Sequence, residues 1–266
     1  MNPIHAKETS FHNNWAEATE VTAVRVKAAF EAPTAVELKY ILKEVGALAG
    51  KQILEVGAGL GEASVYFALQ GAEVVATDLS PAMCVFQQKL AAHHGVKITS
   101  FAGSAETLEL DGTFDIVYAA NLIHHLVDKT AFLEAARRLL KPGGLFISWD
   151  PVRYNPVINL YRKMANKVRT EDEAPLGRND IREIEHYFPG CRLKFFWLLS
   201  QSLFIKYFIL NRHHPNSVRF WKKIYEETDS TLWWWHPLSW ADNQLILKLP
   251  GLRWLAWNVV VIARKL

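Results

Sequence analysis

The chain has 266 residues, half of them hydrophobic, which is enough for one large domain with a buried core. Its net charge is +3, and basic residues are interspersed with acidic ones, so charge gives no support for a nucleic-acid partner. The two cysteines, Cys84 and Cys191, lack metal-ligand spacing, which favours free thiols in a reducing compartment. The first twenty residues contain early acids and no apolar run, so we predict no secretory signal and a cytoplasmic location.

The N-terminal segment is predicted to be helical. Apolar residues recur at helical spacing over residues 14–30, and Pro33 ends that helix. A second helix is predicted to follow, with Thr34 as its N-cap. We interpret residues 1–48 as a helical lid.

Predicted strands and helices alternate between residues 50 and 150. Several strands are continuous apolar runs, such as "FDIVYAA", which is typical of a parallel sheet covered by helices on both faces. Ser80 and Pro81 form a helix start signal, and Gly71 and Gly95 follow predicted helices. The pattern predicts an α/β fold with a Rossmann-like, doubly wound sheet, whose cofactor-binding core spans 49–150.

The pattern loosens after residue 150. Helices are predicted over 157–168 and 180–190, within an acceptor-side segment at 151–190. The stretches "CRLKFFWLLS" and "WNVVVIARKL" predict a sixth and a seventh strand within residues 191–266. Between them, residues 200–257 are rich in Trp and Phe and are predicted to form an aromatic cap insertion.

One apolar run in this region is nearly long enough to cross a bilayer. It spans residues 195–210, but Ser200, Gln201, Ser202 and Lys206 interrupt it, so we reject a transmembrane helix. Three interpretations of the cap stay open: plain packing on the domain, a lid over a flat apolar ligand, and peripheral contact with a membrane interface.

The stretch "EVGAGLG" at residues 55–61 lies between a predicted strand and a predicted helix. Glycines there allow the backbone to pass close to a ligand, and the helix N-terminus offers free N–H groups. Asp78 ends the next strand, where a carboxylate can accept both hydroxyls of a ribose. Glu62 stands where the dinucleotide fingerprint requires glycine, which disfavours a nicotinamide-dependent oxidoreductase.

Five motifs in this order resemble those of the class I S-adenosylmethionine-dependent methyltransferases: "LEVGAGLG", "VVATDLS", "AGSAETL", "FDIVYAANLIHHL" and "LLKPGGLFIS". The resemblance covers roughly residues 50–150 and implies S-adenosylmethionine as the cofactor. The residues that it implies for cofactor binding are Glu55, Gly57, Gly59, Gly61, Asp78, Leu79, Ser104, Ala105 and Asn121.

The resemblance also implies a role for most of these positions. The glycines would line the methionine part, Asp78 would bind the ribose hydroxyls, and Leu79 would lie against the adenine. Ser104 and Ala105 would face the adenine edge, and Asn121 the sulfonium end. Many family members carry Asp where Ser104 stands, and serine is the weaker acceptor for the adenine amino group.

Two histidines, His124 and His125, follow the fourth predicted strand, and Asp150 ends the fifth. Ligands of parallel α/β sheets bind at the carboxyl ends of strands, so at least one of the histidines is a candidate general base. Sugar and natural-product O-methyltransferases of this family have a similar His pair and a later Asp, and this resemblance implies His124 or His125 as the catalytic base and Asp150 as its partner. Alternatively, the histidines pack or cap the strand end, and Asp150, which precedes Pro151, shapes a turn.

The acceptor is predicted to be a small or lipid-like, largely apolar molecule that is methylated at a hydroxyl oxygen. We expect Trp15, Tyr154, Asn155 and Tyr161 to contact it. Two alternatives are a C-methyltransferase acting on a quinone or isoprenoid ring and a non-catalytic protein that binds S-adenosylmethionine. "ANLIHH" replaces the N-P-P-[YF]-type motif of nucleic-acid base methyltransferases, and no residue spacing indicates a metal.

Overall fold

A computed structural model describes residues 3–165, 167, 169–170 and 173–266. Its strands are β1 (Gln52–Val56), β2 (Glu73–Asp78), β3 (Thr99–Ala102), β4 (Phe114–Ala120), β5 (Leu140–Pro151), β6 (Arg192–Phe196) and β7 (Asn258–Arg264). Its α-helices are α1 (Pro3–Glu17), α2 (Val26–Glu31), α3 (Val36–Val45), α4 (Glu62–Leu69), α5 (Pro81–His93), α6 (Lys129–Leu139), α7 (Pro156–Met164), α8 (Arg178–Tyr187), α9 (Leu203–Ile205), α10 (Phe220–Glu226) and α11 (Thr228–Lys248).

The seven strands form one mixed sheet in the order β3-β2-β1-β4-β5-β7-β6. Strands β1 to β5 are parallel, and β7 runs antiparallel between β5 and β6. The predicted Rossmann-like sheet of seven strands is therefore confirmed. Because the strand order reverses between β1 and β4, the carboxyl ends of these two strands border a crevice where such folds bind ligands.

Helices cover both faces of the sheet. One buried cluster packs α2, α3, α4 and α5 against one face, and a second packs α6 and α8 against the other. β7, with the sequence "NVVVIAR", is buried at every position except its last, as its continuous apolar run predicts for a strand covered on both faces.

The N-terminal helices differ from the prediction. Residues 14–30 form the end of α1, a short 3₁₀ turn at Val21–Ala23 and the helix α2, not one helix. Thr34 is not the N-cap of α3, because Ala35 occupies that position. The Thr34 hydroxyl instead donates to the carbonyl of Ile224 at 2.7 Å, so it ties this segment to the aromatic cap.

The two predicted helices after β5 are also shifted in their limits. The helix predicted over 157–168 is α7, which ends at Met164, and the one predicted over 180–190 is α8. Residues 166 and 168 of the first prediction lie outside the described residues, as do residues 1 and 2 of the predicted lid.

The aromatic insertion between β6 and β7 is helical and has a core of its own. That core contains Trp197, Phe204, Tyr207, Phe220 and Trp235. In the described part of the chain, no helix combines the length and the apolar character needed to cross a membrane, in agreement with the rejection of a span at 195–210.

Candidate cofactor and acceptor site

A cavity opens at the carboxyl ends of β1, β2 and β4, beside the point where the strand order reverses. It is lined by most of the residues that the resemblance implies for cofactor binding, namely Gly57, Gly59, Asp78, Leu79, Ser104, Ala105 and Asn121. These residues come from the ends of four strands, β1 to β4, and the loops that follow them, so the parallel sheet itself brings them together.

Two glycines of the "EVGAGLG" turn face this cavity in different ways. Both have positive φ, 71° at Gly57 and 53° at Gly59, in the region that favours glycine. A Cβ at Gly57 would lie 2.6 Å from Cδ1 of Leu122, whereas a Cβ at Gly59 would meet nothing within 4 Å. Gly59 therefore leaves its backbone open to a ligand.

Asp78 is 6% exposed and is held by the backbone. The N–H of Gly59 donates to Oδ2 at 2.8 Å, and the N–H of Ser80 donates to Oδ1 at 2.9 Å. An ionised carboxylate accepts about four hydrogen bonds, so each oxygen keeps acceptor capacity for a ligand with two neighbouring hydroxyls. The turn and the acid thus fit the ribose end of an adenosyl group.

Asn121 begins the loop that follows β4. Its φ is 51°, a left-handed conformation that Asn tolerates better than most residues, and its N–H donates to the carbonyl of Trp149 at 2.8 Å. Ser104 also lines the cavity, and its hydroxyl accepts from the N–H of Glu106 and caps a 3₁₀ turn.

Glu55 and Gly61 do not line the cavity. Ser64 donates its hydroxyl to the buried carboxyl of Glu55, and burial raises the pKa of Glu55 to about 8. At Gly61, a Cβ would lie 2.8 Å from Cγ of Gln87, which indicates close packing on α5. Both residues therefore shape the turn from behind, and a direct ligand contact is not what the structure shows.

His124 is buried in a closed pair with Asp150. Its Nδ1 lies 2.8 Å from Oδ1 of Asp150, and its backbone N–H donates to the same oxygen at 3.2 Å. Burial lowers the pKa of His124 well below its ordinary value and raises that of Asp150 to about 8, so both neutral forms are favoured. A neutral histidine enclosed in this way is a weak base.

His125, in contrast, lines the cavity. Its Nδ1 lies 3.3 Å from Oε1 of Glu8, and among the described residues its Nε2 has no hydrogen-bond partner. The ring centroids of His125 and His124 are 4.2 Å apart. Of the two predicted histidines, His125 is therefore the one with a free nitrogen beside the cofactor cavity.

Sequence reasoning predicts a lid here but does not single out His5 and Glu8, which α1 places over this cavity together with His12. His5, Glu8 and His12 lie one and two turns apart on one face of the helix and all line the cavity. The spacing was a usable signal, but the predicted helix began only at residue 14. Burial raises the pKa of Glu8, and hydrogen bonds from His12 and His125 lower it. The hydrogen bonds have the larger combined effect, so the pKa of Glu8 is lowered.

A second carboxylate, Glu173, lies on the other side of the histidine pair. Its Oε2 is 3.9 Å from Nε2 of His124 and pairs with the guanidinium groups of Arg162, at 3.2 Å, and Arg169. Ligand-type atoms of His124, His125 and Glu173 lie within 4.8 Å of one another. Since two arginines bind the carboxylate, we assign it to an ion-pair network and not to a metal site.

Two of the four predicted acceptor residues lie beside this region. Trp15 is near His12, with ring centroids 5.9 Å apart, and the guanidinium of Arg219 lies 3.8 Å from its ring centroid. Tyr161 contacts the rings of Phe204 and Phe220 at the edge of the aromatic cap. These contacts place apolar and aromatic surface from α1, α7 and the cap near the histidines.

The structure contradicts the prediction for Asn155. Its side chain is completely buried as the N-cap of α7, where Oδ1 accepts from Ile158 and Nδ2 donates to Gln201 and to the carbonyl of Leu255. Both polar atoms of this amide thus have partners within the chain, and neither is accessible to an acceptor. Tyr154 is exposed, and its hydroxyl accepts from the N–H of Arg178, away from the cofactor cavity.

The sequence profile described as "Methyltransferase domain" matches residues 54–148. That segment runs from β1 into β5 and contains the glycine turn, Asp78, Asn121 and the histidine pair. It is a class I S-adenosylmethionine-dependent methyltransferase domain. The resemblance drawn from the five motifs is confirmed, and so is S-adenosylmethionine as the cofactor of this domain.

Curated relatives of this methyltransferase domain include two "Ubiquinone biosynthesis O-methyltransferase" proteins. The one from Xanthomonas euvesicatoria pv. vesicatoria (strain 85-10) is 34% identical over 153 residues, covering 54% of this chain and 64% of the relative. The one from Azotobacter vinelandii is 33% identical over 111 residues, covering 41% and 47%. The chain thus spans less than two thirds of the length of these relatives.

Solved structures agree on the fold of the methyltransferase domain. The YcgJ protein of Bacillus subtilis has a TM-score of 0.58 at 18% identity, covering 86% of this chain and 97% of its own. Magnesium protoporphyrin IX methyltransferase from Synechocystis PCC 6803, solved with bound SAH, has a TM-score of 0.54 at 17% identity and covers 72% and 92%. At such identities the likeness concerns the fold alone.

Proposed function

We propose that the chain is a methyltransferase that moves the methyl group of S-adenosylmethionine to a hydroxyl oxygen of a small, largely apolar or lipid-like acceptor. The names of the curated relatives favour a phenolic hydroxyl on a quinone precursor. The half-buried rings of Trp15, Trp221 and Tyr161 offer aromatic surface that suits a flat apolar ring.

One observation carries the proposal. His125 lines the cofactor cavity with Nε2 unpartnered among the described residues, while the neighbouring His124 is enclosed by Asp150 and Glu173. A hydroxyl must lose its proton as its oxygen is methylated, and a positioned imidazole is a suitable base near neutral pH. His125 would take that proton.

The other residues would hold and orient the reactants. Bound S-adenosylmethionine supplies an electrophilic methyl group. Asp78 would accept hydrogen bonds from the two ribose hydroxyls. Leu79, Ser104 and Ala105 would surround the adenine. The open backbone at Gly59 would pass along the methionine part, and α1 over the cavity would exclude water.

A direct assay tests this proposal. The purified chain is incubated with methyl-labelled S-adenosylmethionine and a short-chain prenylated catechol, and the product is characterised by NMR. We expect one label per acceptor, on oxygen. Label on a ring carbon would contradict O-methylation and identify a C-methyltransferase. Tight S-adenosylhomocysteine binding without transfer to this acceptor or to any lipid extract would identify a binding protein.

The aromatic cap supports a further part of the proposal, peripheral contact with a lipid surface. Trp233, Trp240 and Leu247 follow each other at seven-residue intervals along α11, so they form one stripe, and each is about 70% exposed. Nζ of Lys206 donates to the carbonyl of Ser230 at 3.5 Å. This contact brings the segment around Lys206, whose apolar end is exposed, beside the stripe. A lipid-like acceptor would be delivered from such a surface.

Replacing both Trp233 and Trp240 by lysine is expected to weaken binding to zwitterionic phosphatidylcholine vesicles by about tenfold or more, because it removes two large exposed apolar groups from the interface. Vesicle co-sedimentation measures the effect. Val85→Lys is the matched control, since Val85 is an exposed apolar residue on α5. Equal sedimentation of the wild type, the double variant and the control would rule out this surface.

A further inference from the structure

We propose that Glu8 is the positioning residue for His125, so that the helix α1 completes the catalytic base when it lies over the cavity. This inference rests on the proposed function, because it assigns His125 the role of base. It adds a residue from a different part of the chain, since Glu8 and His125 are 117 positions apart.

The geometry of Glu8 suits this role. The side chain is only 6% exposed, although it is a carboxylate on a helix that borders the cavity. Oε1 faces Nδ1 of His125 at 3.3 Å and also accepts from the hydroxyl of Thr170, while Oε2 lies 3.4 Å from Nε2 of His12. Two further side chains, Thr170 and His12, therefore hold this carboxylate against the base.

The charged and titratable groups around His125 come from every element packed against it. Glu8 and His12 belong to α1, and His124 is the residue before His125 in the chain. Asp150 lies at the end of β5, and Glu173 lies in the segment before α8. Among these groups, only Glu8 is within hydrogen-bond distance of His125. It is thus the one carboxylate that can select which ring nitrogen carries the proton.

That selection has a chemical consequence. A carboxylate facing Nδ1 favours the neutral tautomer with hydrogen on Nδ1, which leaves the lone pair of Nε2 free to take a proton. The same carboxylate stabilises the imidazolium that forms when the acceptor hydroxyl is deprotonated. Without Glu8, the ring could adopt the other tautomer or turn away from the cavity.

A purely structural role for Glu8 predicts something else. If Glu8 only held α1 in place, the loss of another side-chain contact between α1 and the cavity wall would have the same effect on activity. Nε2 of His5 lies 3.2 Å from Oε2 of Glu106, and this contact also joins α1 to the wall of the cavity. Glu106→Gln removes the carboxylate from that contact and keeps an oxygen that can accept from the N–H groups of Val127 and Asp128, so it is a matched control.

The first test does not require turnover. ¹⁵N NMR of histidine-labelled protein, with the His125 signals assigned by comparison with His125→Asn, reports the tautomer of this ring. We expect the Nδ1–H form in the wild type and in Glu106→Gln, and its loss in Glu8→Gln. An unchanged His125 tautomer in Glu8→Gln would overturn the proposal.

The second test is kinetic. We expect Glu8→Gln to lower kcat by about 10- to 100-fold with little change in the KM for S-adenosylmethionine. We also expect the acid limb of its pH profile to move to lower pH, because the protonated ring of His125 loses its counter-ion. Glu8→Asp should recover part of kcat, and Glu106→Gln should keep the wild-type pH profile. Equal losses in Glu8→Gln and Glu106→Gln, with unchanged pH profiles, would show that Glu8 only fastens the helix.

The two tests separate this inference from the proposed function. If the wild type transfers no methyl group to any acceptor, the proposed function fails, whatever the NMR spectra show. If the wild type is active and depends on His125 but not on Glu8, the proposed function stands and only the role of Glu8 is refuted.

Discussion

Replacing His125 by asparagine is expected to lower kcat by about 10² to 10⁴ at neutral pH and to leave the affinity for S-adenosylhomocysteine nearly unchanged. The reason is that this side chain lines the cavity and its Nε2 has no hydrogen-bond partner in the described part of the chain, whereas Nε2 of His124 lies 3.9 Å from Oε2 of Glu173. Single-turnover methyl transfer and calorimetric binding of S-adenosylhomocysteine measure the two quantities separately.

His124→Gln is the matched control, because it changes the adjacent histidine. This variant loses the contact between Nδ1 and the completely buried Asp150, so we expect a loss of about 1–3 kcal/mol in the free energy of unfolding. Its kcat should fall much less than that of His125→Asn. A large fall of kcat in His124→Gln at unchanged stability, with an active His125→Asn, would assign the base to His124 instead.

Replacing Asp78 by asparagine is expected to weaken S-adenosylhomocysteine binding by about 10- to 100-fold, since hydrogen bonds to a charged group contribute about 1.5–3 kcal/mol. The amide has one acceptor oxygen in place of two, and it would direct N–H donors at a turn whose Gly59 N–H already points towards Oδ2. Calorimetry gives the affinity, and the KM for S-adenosylmethionine should rise more than kcat falls.

Asp115→Asn controls for the loss of a carboxylate elsewhere in the sheet. Asp115 also accepts from a backbone N–H, that of Gln52, and pairs with Lys141 at 2.9 Å, but it lies near the amino end of β4. We expect wild-type affinity for S-adenosylhomocysteine in this variant. An Asp78→Asn protein that binds as tightly as Asp115→Asn would refute the role proposed for Asp78.

The strands and the glycine turn could be predicted because their signals are local. The apolar run of β4 and the start signal at Ser80 each occupy a few consecutive residues, and the structure shows a strand at Phe114–Ala120 and a helix N-cap whose hydroxyl accepts from the N–H of Met83. The same holds for Asp78, because the carboxyl end of a parallel strand has a known place in this fold.

The role of Asn155 was predicted wrongly because a local signal, the start of a helix, was not taken into account. Its segment directly follows Asp150, which suggested a cleft residue, but an Asn directly before Pro156 at a helix start is an N-cap signal. The cap satisfies the N–H of Ile158, and the amide then spans to Gln201 and Leu255, which belong to the insertion. Local helix chemistry thus decided the use of this side chain.

By itself, the sequence determined the class of the fold, the glycine turn, the acid that ends β2 and the presence of a histidine pair beside the cavity. Only the tertiary structure decided which histidine faces the cavity, because that choice depends on partners distant in the chain. Asp150 is 26 residues from His124, and Glu8 is 117 residues from His125. Hydrogen-bonded carboxylates at such separations leave no periodic trace in a sequence, since the sheet and the helix α1 bring them together only in the folded chain.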